Sequence, residues 1–293
     1  MTHHRPVLLD EVVSYLDLHS GEYAVDCTFG GGGHTQALLK AVAPNGKVLA
    51  LDADQRVEAI NKNFELVENL IFVHSNFRHL KEVVAENFPY PIHGVLIDLG
   101  LSSDQLEISG RGFSFLGDQP LDMRFDVDQD ITAAGILNNY SADELQQIFQ
   151  DHGQYRASKT LAQAIVKMRK DKKFRTTQDL VDLVLDIHPI KKSHYKIHPA
   201  TQVFQALRIE VNTELESLRS VLSQIVDVLA PGGKVAIISF HSLEDHIVKH
   251  FFKNQAKENI LNILTKKPIV ATEAELATNL RSRSAKLRVA QKI

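Results

Sequence analysis

Short apolar runs alternate with helical patterns along the first hundred residues. This alternation predicts strands at Tyr23 to Phe29, Lys47 to Asp52, Leu70 to His74 and Gly94 to Leu99, each followed by polar or glycine-rich sequence. Such a pattern is typical of a parallel α/β sheet with helices on both faces. In this class of sheet, sites form where the carboxyl ends of the strands share one edge.

The pattern changes after Gly100. Ser102 to Met123 has the composition of a loop, and Asp126 to Pro199 shows helical spacing without a strand signal. Apolar positions spaced by three and four then predict one long helix from Thr201 to Leu229, ended by the following Pro-Gly-Gly. Lys234 to Phe240 predicts a fifth strand.

The remaining elements complete a doubly wound sheet with an insertion. We predict a helix from Leu243 to Asn254 and a closing hairpin of Pro268 to Ala271 with Leu287 to Lys292. The predicted fold class is therefore α/β, a Rossmann-like sheet formed by residues 1–125 and 201–293 and interrupted by an all-helical domain at residues 126–200.

Composition and charge narrow the class of protein. The chain has 293 residues, 44% hydrophobic and 24% charged, which indicates a globular protein. Its single cysteine, Cys27, and the absence of an apolar leader or membrane span predict a cytoplasmic protein without a membrane partner. Because the formal net charge is −3, any nucleic-acid site must be a local basic patch.

A glycine-rich loop follows the first predicted strand, and an acidic residue ends the second. Glycines 30 to 33 allow a close approach of backbone to a ligand, and the Asp52 carboxylate can accept both hydroxyls of a ribose. Thr35 stands where a dinucleotide motif has its third glycine, and Asp26 offers a carboxylate to a methionine-type ammonium. These features favour S-adenosylmethionine over NAD.

Eight ordered segments carry a more specific signal. They are residues 4–11, 28–34, 98–103, 111–115, 120–124, 198–201, 240–245 and 281–288. Together they resemble the bacterial ribosomal RNA small subunit methyltransferase H family over essentially the whole chain. The chain departs from that family at Asp104, Gln119 and Gln154-Tyr155, all outside the cofactor positions.

The resemblance implies an enzyme that uses S-adenosylmethionine to methylate the exocyclic N4 amine of one cytidine near the decoding site of small-subunit rRNA. Naked rRNA and the assembled subunit both remain possible substrates. The family's cofactor positions correspond here to Gly32, Gly33, His34, Asp52, Phe77, Asp98 and Gln105.

Candidate catalytic residues lie at the ends of the fourth and fifth strands. The amine of cytosine is a poor nucleophile, so its N–H needs an acceptor, for which we consider Asp98, His241 and Ser242. Asp98 could instead orient the cofactor, and His241 could instead cap a helix. Phe240 could stack on a flipped base or belong to the core.

Basic and aromatic side chains in the second half of the chain suggest RNA contacts. Lys170, Lys172 and Lys173 form a basic run on the predicted insertion, and Arg111 and Arg124 flank Phe113 in the preceding loop. The alternatives are a solvated helix face for the lysines and a packed loop, with ion pairs to Asp118 or Asp122, for the arginines.

Other classes of protein remain open at this stage. His246 and His250 are spaced to share a helix face, but no third metal ligand is evident, and we expect no metal requirement. An NAD-dependent oxidoreductase and a noncatalytic RNA-binding factor with a methyltransferase fold are the two alternative functions.

Overall fold

The computed structural model describes residues 6–55, 57, 67–101, 110–189 and 198–293. The chain forms two compact units, one of Met1–Ser102 with Leu215–Ile293 and one of Ser103–Glu214. The first is a mixed α/β unit with a seven-stranded sheet, so the predicted fold class is confirmed. The second begins earlier and ends later than the predicted insertion at 126–200.

The first unit is built on the strands β1 to β7. The strand order is β3-β2-β1-β4-β5-β7-β6, in which β1 to β5 are parallel and β7 is antiparallel to both of its neighbours. The bounds are β1 Tyr23–Asp26, β2 Lys47–Asp52, β3 Leu70–His74, β4 Ile92–Asp98, β5 Leu229–Ser239, β6 Leu261–Ile263 and β7 Lys286–Lys292.

Helices cover both faces of this sheet. Their bounds are α1 Leu9–Leu16, α2 Gly33–Val42, α3 Leu80–Asn87, α9 Glu214–Val228, α10 Ser242–Lys257 and α11 Glu273–Thr278. One core contains buried side chains of α3, α9 and α10, such as Leu80, Leu222 and Phe252. The other contains those of α1 and α2, such as Leu16 and Leu38. Both faces are buried, which explains why the strands are continuous apolar runs.

The prediction of the carboxyl-terminal strands was wrong in detail. Strand β5 begins at Leu229, so Pro231-Gly232-Gly233 lies inside the strand segment rather than ending a helix. Strand β7 fills the sheet between β5 and β6, and the predicted hairpin partner contributes only an isolated bridge between Ile269 and Leu287. The three-residue β6 is too short to produce a recognisable alternation of apolar and polar positions.

The predicted helix from Thr201 to Leu229 is interrupted. Helix α8 spans Pro199–Asn212, and Thr213 has φ 48°, which breaks the helix before α9 begins. The Asn212 side chain donates to the carbonyl of Met123 (2.7 Å) and accepts from the N–H of Phe125 (2.8 Å). These partners are almost ninety positions away in sequence, so the apolar periodicity could not reveal the break.

The second unit is helical. Its helices are α4 Ala133–Asn139, α5 Ala142–Asp151, α6 Ser158–Met168, α7 Thr177–Ile187 and α8. Its core contains Leu137, Phe149, Ile165 and Leu180, all buried. The loop before α4 belongs here because Leu121 N–H donates to the carbonyl of Arg175 (3.0 Å). This hydrogen bond and those of the Asn212 side chain explain why the second unit begins before residue 126 and ends after residue 200.

No helix in the described part of the chain is long and apolar enough to span a membrane.

Candidate active site

The loop between β1 and α2 needs glycine at several positions. Gly30 and Gly32 have φ of 51° and 75°, a left-handed conformation that costs other residues about 1–2 kcal/mol. A Cβ on Gly33 would lie 2.3 Å from Cγ of Pro6. Pro6 therefore packs directly against Gly33, the first residue of α2, whose N-cap is Gly32.

Asp26 is buried behind this loop and holds it by hydrogen bonds. Its carboxylate is fully buried and accepts from the Thr35 hydroxyl (2.7 Å) and the Thr28 N–H (3.1 Å). Burial raises the pKa of Asp26 to about 6, although the nearby His34 and these hydrogen bonds lower it. Because the side chain has no exposed surface, the structure does not offer it to a ligand's ammonium, and that expectation is corrected.

Asp52 connects the ends of β1 and β2. One carboxylate oxygen accepts from the Gly30 N–H (2.7 Å) and the other from the Asp54 N–H (2.9 Å). Burial raises the pKa of Asp52 to about 6, with the two hydrogen bonds acting in the opposite direction. Each carboxylate oxygen can accept a second hydrogen bond, so Asp52 can still bind two hydroxyl groups.

Asp98 ends β4 beside this loop. Its N–H donates to the Thr28 hydroxyl (2.8 Å), and its carboxylate accepts from the Gly100 N–H (2.9 Å). Its second carboxylate oxygen lies 3.5 Å from Nε2 of His34. Both ring nitrogens of the buried His34 lack an aligned hydrogen-bond partner in the described part of the chain. A buried polar ring without partners is costly, so this pair suits a polar ligand group.

The end of β5 approaches the end of β4 at Gly100. A Cβ on Gly100 would lie 2.7 Å from Cε2 of Phe240 and 3.0 Å from a carboxylate oxygen of Asp98. The Phe240 ring is half-buried and packs against the core that contains the buried side chains of α1 and α2. One part of the Phe240 ring therefore belongs to the core, and the rest of the ring is accessible.

His241 is the N-cap of α10. Its Nδ1 accepts from the Glu244 N–H (3.4 Å), and Glu244 accepts in return from the N–H of His241 (3.2 Å). Nε2 lies 3.1 Å from the buried Glu244 carboxylate, but no aligned hydrogen bond to Nε2 exists among the described residues. The imidazole thus caps the helix through Nδ1, which leaves the proton of the neutral ring on the buried Nε2, facing Glu244. Ser242 is the exposed first residue of the helix.

Two further predicted cofactor positions are Phe77 and Gln105. Phe77 is half-buried at the start of a 3₁₀ turn after β3, which Asn76 caps by accepting from Arg78 N–H (2.9 Å). Gln105 lies outside the described residues.

Three residues of this edge were missed by the sequence analysis. Thr28 and Gly100 position Asp98, and Glu244 positions His241. Only Glu244 left a signal, because a glutamate three residues after an N-cap is the pattern of a capping box.

In the second unit, the loop residues predicted to contact RNA turn inward. Arg111 is 5% exposed and donates to the carbonyls of Arg124 (2.8 Å) and Phe125 (3.0 Å). Phe113 is 7% exposed and stacks on Phe125. Arg124 binds Asp122 through two hydrogen bonds of 2.8 Å, which holds the pKa of Asp122 below its usual value despite burial. The packed-loop alternative therefore describes this structure, and base stacking by these three side chains is corrected.

The basic run after α6 is only partly available. Lys172 Nζ lies 2.5 Å from the Asp179 carboxylate, whereas Lys170 and Lys173 are exposed and make no ion pair with the described residues. Two of the three predicted lysines therefore keep an uncompensated charge.

Comparisons with known proteins identify the family of the chain. The profile that defines the MraW methylase family matches residues 1–293. A protein of Trichormus variabilis named ribosomal RNA small subunit methyltransferase H is 47% identical over 291 residues, 99% of this chain and 92% of its own. A protein of Heliobacterium mobile with the same name is 44% identical over 309 residues, 99% of both chains.

Similarity to solved structures is much weaker. The crystal structure of an rRNA methylase from Streptococcus thermophilus matches with a TM-score of 0.42 at 12% identity, covering 98% of this chain and 92% of its own.

Proposed function

Since the chain belongs to the MraW methylase family, we propose that it transfers a methyl group from S-adenosylmethionine to small-subunit ribosomal RNA. We further propose that the acceptor is the exocyclic N4 amine of a cytidine near the decoding site. The observation that carries the proposal is the convergence of the glycine loop, His34, Asp52 and Asp98 at the carboxyl edge of one parallel sheet.

Charge at this edge supports S-adenosylmethionine rather than NAD. The carboxylates of Asp26, Asp52 and Asp98 give the edge a negative potential, which attracts a cationic cofactor and repels a pyrophosphate. The runner-up function, an NAD-dependent oxidoreductase, gains no support from this arrangement.

Several residues fit the cofactor. Asp52 has accepting capacity left for the two ribose hydroxyls, and Gly32, with φ 75°, presents backbone without a Cβ beside it. The missing Cβ of Gly33 instead makes room for Pro6. His34 and Asp98 would bind the polar methionine end, and the resemblance adds Phe77 and Gln105 to the set. When bound, S-adenosylmethionine supplies the electrophilic methyl group.

The reacting amine needs help from the protein because its lone pair is delocalised into the cytosine ring. A hydrogen-bond acceptor on the N–H favours the pyramidal amine and takes up the proton, for which the Asp98 carboxylate is the first candidate. His241 can take this role only if its ring releases the Glu244 N–H from Nδ1, because in the capping arrangement the proton of the neutral ring is on Nε2. Glu244 lies 3.1 Å from that nitrogen and would stabilise a protonated imidazole. Ser242 remains a third candidate at the same strand end.

We assign recognition of the RNA to the helical insertion at residues 126–200. Lys170 and Lys173 are exposed there, and phosphate contacts by such side chains give affinity without reading sequence. Lys172 contributes less because Asp179 compensates its charge. An rRNA substrate also implies that the enzyme works in the cytoplasm.

The proposal is tested by incubating the protein with isotopically labelled S-adenosylmethionine and small ribosomal subunits from cells that lack the enzyme. Nuclease digestion and mass spectrometry of the nucleosides should find the label on N4 of cytidine. Label on carbon 5 or on ribose would contradict the proposed acceptor, and binding without any transfer would favour the noncatalytic RNA-binding alternative. Parallel reactions with naked rRNA determine which form of the RNA is the substrate.

A further inference from the structure

A cleft of about 550 Å³ lies at the end of the sheet formed by β6 and β7, away from the residues assigned to cofactor and base. One wall is the carboxyl-terminal half of α10, with Lys249 and Lys253, and the other contains Lys266, which follows β6. Phe252 and Leu261 are buried beneath the cleft, and the half-buried Ala256 and Ile263 provide its accessible apolar surface. The cleft therefore combines an apolar base with cationic walls.

The charge of this cleft is uncompensated. Lys249, Lys253 and Lys266 are exposed and form no ion pair with any residue that the structure describes, and no aspartate or glutamate is among the lining residues. The fourth cation, Arg288, is buried and bound to Asp245 (2.7 Å). The three lysines thus determine the sign of the potential inside the cleft.

Two histidines of the same helix, His246 and His250, lie close to these lysines. The rings of His246 and His250 are 4.1 Å apart on the exposed surface of α10. The charge of His246 is the main reason that the pKa of His250 is lowered, and Lys253, Lys249 and Lys257 lower it further. Neighbouring positive charges therefore extend along the exposed side of the helix, on which Lys257 is also exposed.

Helix α10 connects the cleft to the candidate active site. The helix begins at Ser242, immediately after His241, and Lys249 and Lys253 follow seven and eleven residues later. At a rise of about 1.5 Å per residue, these lysines lie roughly 10 and 16 Å along the helix from its first residue. A chain molecule with evenly spaced negative charges could therefore contact the cleft while one of its units occupies the active site.

We propose that this lysine cleft binds the phosphodiester backbone of the rRNA substrate, as a second contact surface on the catalytic unit itself. The inference rests on the proposed function, which supplies the polyanion. Phosphates pair with Lys249, Lys253 and Lys266, and a ribose or base covers the accessible apolar surface of Ala256 and Ile263. An acidic ribosomal protein is the competing partner that the experiment separates from RNA.

The test compares two double variants that remove the same formal charge. Lys249→Gln/Lys253→Gln changes the cleft, and Lys40→Gln/Lys47→Gln removes two lysines near the carboxyl end of α2 and the amino end of β2. Binding of unmodified small-subunit rRNA and of small subunits is measured by filter binding over a range of salt concentrations. For single-stranded RNA, each lost phosphate contact should flatten the slope of log K against log salt by about 0.7.

We expect the cleft variant to flatten this slope by about 1.4 and to raise KM for the RNA without changing kcat at saturating RNA. The control variant should match wild type, and calorimetry should give the same cofactor affinity for all three proteins. A slope and KM equal to wild type in the cleft variant overturn the inference. Weaker binding to subunits with unchanged binding to naked rRNA would also overturn it, in favour of a protein partner. If wild type itself fails to methylate subunits, the proposed function fails, which is a separate result.

Discussion

Acidification should weaken cofactor binding through a single carboxylate. Asp52 is half-buried, and its pKa is raised to about 6, so its charge is lost well above the usual titration range of an aspartate. Ribose hydroxyls donate to the ionised carboxylate, and binding therefore favours the charged form. The affinity should be constant above that pKa and fall as the pH drops below it.

The magnitude follows from the titration. Between about pH 8 and about pH 5, a carboxylate with a pKa near 6 changes from almost fully ionised to roughly one-tenth ionised, so affinity should fall roughly tenfold, or about 1.4 kcal/mol. The stability of the fold changes with pH in the opposite direction to the cofactor affinity. Because the folded pKa values of Asp26 and Asp52 exceed their unfolded values, their contribution to stability is complete below about pH 4 and is lost as the pH rises through about 6.

Isothermal titration calorimetry with S-adenosylhomocysteine is the suitable assay, since its neutral thioether separates the ribose contact from the sulfonium charge. Asp52→Asn should bind more weakly at high pH and lose the dependence on pH. Asp26→Asn is the matched control, because Asp26 titrates in the same range but is buried behind the loop. Equal affinity of the wild type at both ends of the pH range, with folding confirmed by circular dichroism, would refute the assignment of Asp52. So would an unchanged pH profile in Asp52→Asn.

Two further predictions concern the loop of the second unit and the end of β5. Gly112→Ala should lower the melting temperature far more than Gly110→Ala. Both glycines have positive φ, but only a Cβ on Gly112 would lie 2.3 Å from the backbone oxygen of Pro120. Equal shifts of the melting temperature would argue against that close contact. His241→Asn retains a good N-cap but removes the imidazole, so melting should be preserved while the single-turnover methylation rate falls by roughly 10²-fold if His241 assists proton removal. A rate within about threefold of wild type would leave His241 with the capping role alone.

Much of the first unit could be predicted from sequence because its information is local. Strands β2 and β3 are short apolar runs bounded by polar residues, and their observed bounds equal the predicted ones. The glycine loop and the acidic end of β2 also follow from neighbouring residues and the general topology of parallel sheets. The sequence therefore predicted the edge at which the candidate site forms, together with Asp52 and Asp98 within it.

The tertiary structure determined what each polar side chain contacts. Asp26 and Asp52 have similar local sequence, yet one is closed off by Thr35 and the other retains accepting capacity for a ligand. Arg111 looked like a ligand for RNA but satisfies backbone carbonyls within its own loop. The long helix after Pro199 ends at Asn212 because its side chain binds a distant segment. Hydrophobic periodicity encodes which face of an element is buried, whereas hydrogen-bond partners depend on which distant residues the fold brings together.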